Sequence, residues 1–214
     1  MNLKKITLAG ITVFFAMAAS AALINQTVSN LDWNSAVWGD PAAAPTVGND
    51  YVADMTTVRI QADASSGTFW GDSVTINSGA TALSKLTGTN IATVSGTFTL
   101  NGGVLLVGPN GAGTGTLATA GFIVSADSGI YLNSLANGFI ITGGLPGSGD
   151  LILGSSFTDT SGRTCSFDSV GADTGAINLT ENVTLDFGSD VTFGGSLAID
   201  SISQLNVDQV LTFA

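Results

Sequence analysis

From Gly143 to Phe213 the chain repeats one small unit: an apolar residue, an intervening residue, a second apolar residue, then a turn rich in Gly, Asp, Asn or Ser. The units are Leu151-Ile152-Leu153, Ile177-Asn178-Leu179, Val183-Thr184-Leu185-Asp186-Phe187, Val191-Thr192-Phe193, Leu197-Ala198-Ile199, Leu205-Asn206-Val207 and Leu211-Thr212-Phe213. Alternation at period two predicts strands with one buried face, and runs this short suit a coiled stack better than long hairpins. The last five units begin at 183, 191, 197, 205 and 211, in steps of 8, 6, 8 and 6, so positions 20 to 22 apart recur. That spacing predicts the rung of a parallel β-helix.

Earlier units fit the same scheme: Val58-Arg59-Ile60, Val74-Thr75-Ile76, Phe98-Thr99-Leu100, Val104 to Val107 and Ile130-Tyr131-Leu132. Three of them close on Asn77, Asn101 and Asn133. Asn tolerates the left-handed conformation, so these three are expected at rung corners, stacked as a hydrogen-bonded ladder. Upstream, Trp33 and Trp38 precede a loop with Pro41 and Pro45, and Phe69-Trp70 follows a rung later. Such a segment is expected to fold as a cap over the open end of the stack. The glycine-rich run Gly108 to Gly115 has no lysine to make it a phosphate loop and is expected to be a loop leaving one corner. With 28 glycines and no helical periodicity after residue 21, almost no helix is expected.

The expected fold is all-β, a right-handed parallel β-helix with an N-terminal Trp-containing cap, the hand following the usual chirality of parallel crossovers. About eight rungs of roughly 20 residues, at about 4.8 Å each, would make a stack about 40 Å long. Residues 22–57 form the cap and first strand, and 58–214 the rungs. The chain stops in mid-pattern at Val210 to Ala214, so further rungs are expected beyond it.

The start changes the setting. Lys4 and Lys5, an apolar run from Ile6 to Met17, and Ala18 to Ala22 make a secretory signal peptide over residues 1–21, cleaved after Ala21. Cleavage leaves Arg59, Lys85 and Arg163 against sixteen acids, three minus sixteen, or −13, and no transmembrane segment in the mature chain. Phosphates and anionic lipid would be repelled, which excludes nucleic acid as a partner. The single Cys165 cannot form an internal disulfide and is expected to be buried and inert.

Gly143 to Leu153, with its Gly-Ser-Gly turn, and Gly175 to Ser189, with strands ending in Gly-Ser, resemble the autotransporter-associated β-strand repeat. The opening Trp33, Trp38, Pro45 and Gly48 to Val52 are similar to the start of exported β-helix proteins of the PEP-CTERM type. The resemblance implies a passenger-like surface or matrix β-helix of a Gram-negative-type bacterium, without enzymatic activity. It also implies an attachment device, such as an outer-membrane anchor, in sequence beyond Ala214.

Candidate chemistry is sparse. The chain has no His, which removes Ser-His-Asp triads and the usual zinc sites, and its few bases are isolated, unlike those of β-helix lyases and glycosidases. No catalytic residue and no resident cofactor is expected. A register of 22 would put Asp186 under Asp208 on the outward face, where Ca²⁺ could bridge two carboxylates, with Asp190 or Asp200 as further ligands. Solvated face carboxylates are the plainer alternative. Trp33, Trp38 and Trp70 could form a stacking surface for a sugar, or could serve the cap alone. Paired threonines at 87/89, 97/99 and 114/116 are spaced 10 and 17 apart, which no rung matches, so a flat ice-binding face is not expected. The expected function is a secreted or cell-surface structural or adhesive module whose partner is extracellular polysaccharide or a host or matrix surface. The alternative is a carbohydrate-active or carbohydrate-binding β-helix.

Overall fold

A computed structural model describes residues 21–60, 65–86, 88–108, 114–132, 138–155, 163–168, 170, 174–206 and 209–213. The expected export signal and Asn133 lie outside these residues, as do most of the 108–115 loop and Asp208. The described residues are all-β, wound as a parallel β-solenoid. Successive turns contribute β1 (Ala22–Asn25) and β2 (Leu31–Asp32), then β3 (Asn49–Ala53), β4 (Thr57–Ile60) and β5 (Gly67–Thr68), then β6 (Ser73–Asn77) and β7 (Thr81–Ser84). Next come β8 (Ile91–Asn101), β9 (Val104–Val107), β10 (Thr114–Ala126), β11 (Ser128–Leu132) and β12 (Gly138–Thr142). The chain ends in β13 (Leu151–Ser155), β14 (Arg163–Phe167), β15 (Ile177–Leu179), β16 (Val183–Phe187), β17 (Val191–Phe193), β18 (Leu197–Ile199), β19 (Gln204–Asn206) and β20 (Leu211–Phe213).

Three faces result. β1, β3, β6 and the second halves of β8 and β10 build the first, which the pair β17 and β20 takes up again. The second is the eight-stranded sheet β2-β4-β7-β9-β11-β13-β15-β18, whose seven steps are seven turns of the coil. The third holds β5, the first halves of β8 and β10, then β12, β14, β16 and β19. β8 and β10 run unbroken around the corner between the third and first faces, and β10 takes in Thr114 and Gly115 at the end of the expected 108–115 loop.

Period-two alternation sends every second side chain inward, and the register stacks those side chains in columns. Val58, Ala82, Leu105, Ile130, Leu153 and Leu179 form one column of the second face, all buried. Tyr51, Val74, Phe98 and Phe122 form one of the first face, where the rings of Phe98 and Phe122 lie parallel at 5.7 Å. Phe139, Cys165, Leu185 and Leu205 stack on the third. Cys165 is buried there as expected, and burial pushes its thiol up to about 12, which leaves little thiolate to react. The inward alternation also buries Arg163, which occupies the first position of β14.

Outside, polar side chains tie rung to rung. Asn101 Nδ2 donates to Asn77 Oδ1 at 2.9 Å, and Ser125 Oγ donates to Asn101 Oδ1 at 3.1 Å. The expected ladder therefore runs through Asn77 and Asn101, and Ser125 extends it by one rung. A second corner carries Gly149-Asp150-Leu151, Gly175-Ala176-Ile177 and Gly195-Ser196-Leu197 one above another. Here the backbones approach so closely that a Cβ on Gly175 would stand 2.5 Å from the Gly149 carbonyl oxygen.

The expected rung length needs correction. In the first turns Ala22 pairs with Asn49, Val74 with Phe98 and Phe98 with Phe122, and further on Phe139 pairs with Cys165, all of them steps longer than the 20 to 22 expected. In the last turns the step falls to 20, as from Cys165 to Leu185, Leu185 to Leu205, Ile177 to Leu197 and Val191 to Leu211. These last turns simply have shorter corners. Strand Ala22–Asn25 already pairs with β3, so the segment assigned to the cap also supplies the first turn. Ile199, Ile202, Val210 and Phe213 are exposed in the last described turn.

Candidate functional site

Of the residues singled out from the sequence, Trp33 and Trp38 come together, but in the core, and Trp70 stands apart on the surface. Trp33 and Trp38 are 0% and 1% exposed, packed with Tyr51 and Phe69 in one aromatic cluster, and present no face to a ligand. Trp38 Nε1 donates to the Trp33 carbonyl at 2.8 Å, which ties the Trp38 ring to the Trp33 backbone. Trp70 is 55% exposed, because alternation that turns Phe69 inward turns its neighbour out. Its backbone N–H donates to Asn34 Oδ1 at 2.9 Å, at the corner between the third and first faces.

The expected stacking of Asp186 on position 208 is also corrected. Val183 to Phe187 has three inward residues, and Leu205 pairs with the middle one, Leu185, so the step is 20 and Asp186 lies beside Asn206. Ser166 Oγ donates to Asp186 Oδ2 at 3.2 Å and Asn206 Nδ2 donates to Oδ1 at 3.0 Å. Neutral donors above and below relieve the charge that a cation would have been asked to bridge. Asp190 accepts from the Val210 N–H at 3.0 Å. Asp200 accepts from the N–H groups of Glu181, Ile202 and Ser203; hydrogen bonding within this turn, led by Ser203, holds its carboxyl below the usual range. These acids serve as rung connectors.

A different cluster lines a groove at the corner of the first and second faces, along the outer side of the second. Its volume is about 350 Å³. In β11, Ile130 and Leu132 point into the core, so Tyr131 between them points out. Gly129, two residues earlier on the same side, leaves the space into which the phenol ring folds: a Cβ there would stand 2.5 Å from Tyr131 Cε2. The ring therefore lies along the sheet surface. Val104, Gly129, Ile152 and Asn178 are stacked on the outer column that runs past it.

Two carboxylates line the same groove. Asp127 Oδ1 accepts the Asp150 N–H at 3.2 Å, and Asp150 Oδ1 accepts the Ala176 N–H at 2.9 Å. Each acid is thus anchored through one oxygen to the backbone of the next rung. Both are exposed and both line the groove. Arg59 shares the column of Tyr131 but lies three rungs away, about 14 Å at 4.8 Å per rung. The groove combines an aromatic surface, an amide and two oriented acids. No protein-family model, curated protein or solved structure matches this chain.

The sequence did hold a signal for this site. Asp127 and Asp150 each stand just before a strand, β11 or β13, and those two strands pair directly, so the acids recur at one turn of the coil. With the rung taken as 20 to 22, that relation is hidden.

Proposed function

We propose that this chain is a secreted or cell-surface module, structural and adhesive rather than catalytic, which contacts extracellular polysaccharide or a matrix surface through the outer side of its second sheet. The observation that carries this is the groove around Tyr131. It lies on a sheet surface, open along the stack, where a polymer could run across several rungs. The expected export signal and the acidic surface are compatible with an extracellular setting.

Retention of the purified protein on the envelope fraction of the producing bacterium tests this. Leu106 pairs with Tyr131 on the same outer column, whereas Thr99 lies on the first face. Leu106→Lys is expected to lower retention about tenfold or more while Thr99→Lys leaves it unchanged. Equal retention of the two variants, or turnover of the polysaccharide, would contradict the proposal.

A further inference from the structure

We infer that the groove around Tyr131 takes a pyranose unit bearing a free amino group, as found in cationic polysaccharides. This assignment rests on the second outer face being the contact face, and it adds the chemistry of the ligand. A volume of about 350 Å³ is at the small end of the range of about 300–1,000 Å³ usual for small-molecule sites, enough for a sugar unit but not for a folded partner. The ring of Tyr131, laid over Gly129, offers a flat amphipathic surface of the kind that receives the C–H face of a sugar and attracts a cation. Beside it Ile152 adds apolar surface and Asn178 can both donate to and accept from hydroxyl groups.

The two acids select among sugars. Asp127 and Asp150 stand one rung apart, about 4.8 Å along the stack, and their anchored oxygens hold both carboxylates in place before any ligand arrives. Like charges this close favour a ligand that brings a positive charge between them. An ammonium group does so and donates to both. An N-acetylated sugar keeps the ring stacking and loses the charge. A uronate is repelled.

Binding of a β-1,4-linked glucosamine tetramer, measured by titration calorimetry at moderate salt, tests the inference against its N-acetylated counterpart and a glucose tetramer. The wild-type chain is expected to bind the glucosamine tetramer about tenfold or more tightly than either neutral oligomer. Tyr131→Ala should weaken it by a similar factor. Asp127→Asn keeps an oxygen that can accept the Asp150 N–H, so the fold is retained while the preference for the amine declines. Asp186→Asn removes an acid from the third face and should change nothing. Absence of saturable binding, or equal losses in Asp127→Asn and Asp186→Asn, would overturn the inference, the latter by reducing it to general attraction towards an acidic chain. If Leu106→Lys still lowers envelope retention while the glucosamine tetramer does not bind, the contact face stands and the amino-sugar assignment falls. If neither effect is seen, both fall.

Discussion

Phe122→Ala is expected to lower the unfolding free energy by about 3–5 kcal/mol. Phe122 is fully buried near the middle of the stack, parallel to Phe98 and with its centroid 6.2 Å from that of Phe167. Truncation leaves a cavity that neighbouring rungs cannot close, because strand pairing above and below fixes their spacing. Its position adds a second effect. In a solenoid each turn contacts only its neighbours, so a weakened interface in mid-stack uncouples the turns on either side. Urea unfolding followed by circular dichroism should show a lower midpoint and a broader transition. A loss below about 1 kcal/mol would mean that the Phe98 and Phe122 rings are not packed as a column.

Trp38→Ala is expected to cost a similar amount, about 3–5 kcal/mol, but to concentrate it at the N-terminal turns. The indole fills the space between Tyr51 and Phe69, with ring centroids 5.1 and 6.1 Å away, and its N–H satisfies the buried Trp33 carbonyl. Trp38→Phe would keep much of the packing while losing that hydrogen bond, a deficit of about 1 kcal/mol. Hydrogen exchange distinguishes this from Phe122→Ala: amides of β1 to β4 should lose protection while those from β9 onward keep theirs. Uniform loss along the chain would contradict a stack of nearest-neighbour turns.

Much of this architecture was legible in the chain because the physics behind it is local. An apolar-polar-apolar triplet favours a strand with one face buried, and the triplets from Val58 to Phe213 form strands at their expected places, Leu205 to Val207 beginning one position earlier as Gln204–Asn206, with Ile199 and Phe213 left exposed in the last turn. Long-range register was harder to read. The short corners near the C-terminus present a clean step of 20. Extending that step upstream hides the longer turns, such as Ala22 to Asn49 and Phe139 to Cys165, whose extra length lies in corners without periodic pattern. The Asp186 pairing failed for a related reason: a strand such as Val183–Phe187 has three inward positions, and nothing local says which of them meets Leu205.

The site shows the same division. Tyr131 could be placed on the outer surface from its neighbours Ile130 and Leu132, but its role depends on Gly129 beneath the ring and on Asp127 and Asp150 brought together across one turn. Trp33 and Trp38 drew attention as aromatic residues close in sequence, and burial removes them from any ligand. Aromatic content indicates packing energy before it indicates recognition. Exposure, which only the fold supplies, separates the two.

The most direct measurement joins register and site: oxidation of a chain carrying Asp127→Cys and Asp150→Cys, read by intact mass and gel mobility. In the register described, Ser128 pairs with Leu151, so these positions are neighbours across one rung at about 4.8 Å between Cα atoms, within reach of a disulfide. Cys165, buried with its thiol pushed up to about 12, should take no part. An intramolecular disulfide is expected in this pair and none in Asp127→Cys with Ser148→Cys, the partner that a shorter turn, within the range first expected, would require. A disulfide in the second pair and not the first would contradict the register, and with it the groove built on Asp127, Tyr131 and Asp150.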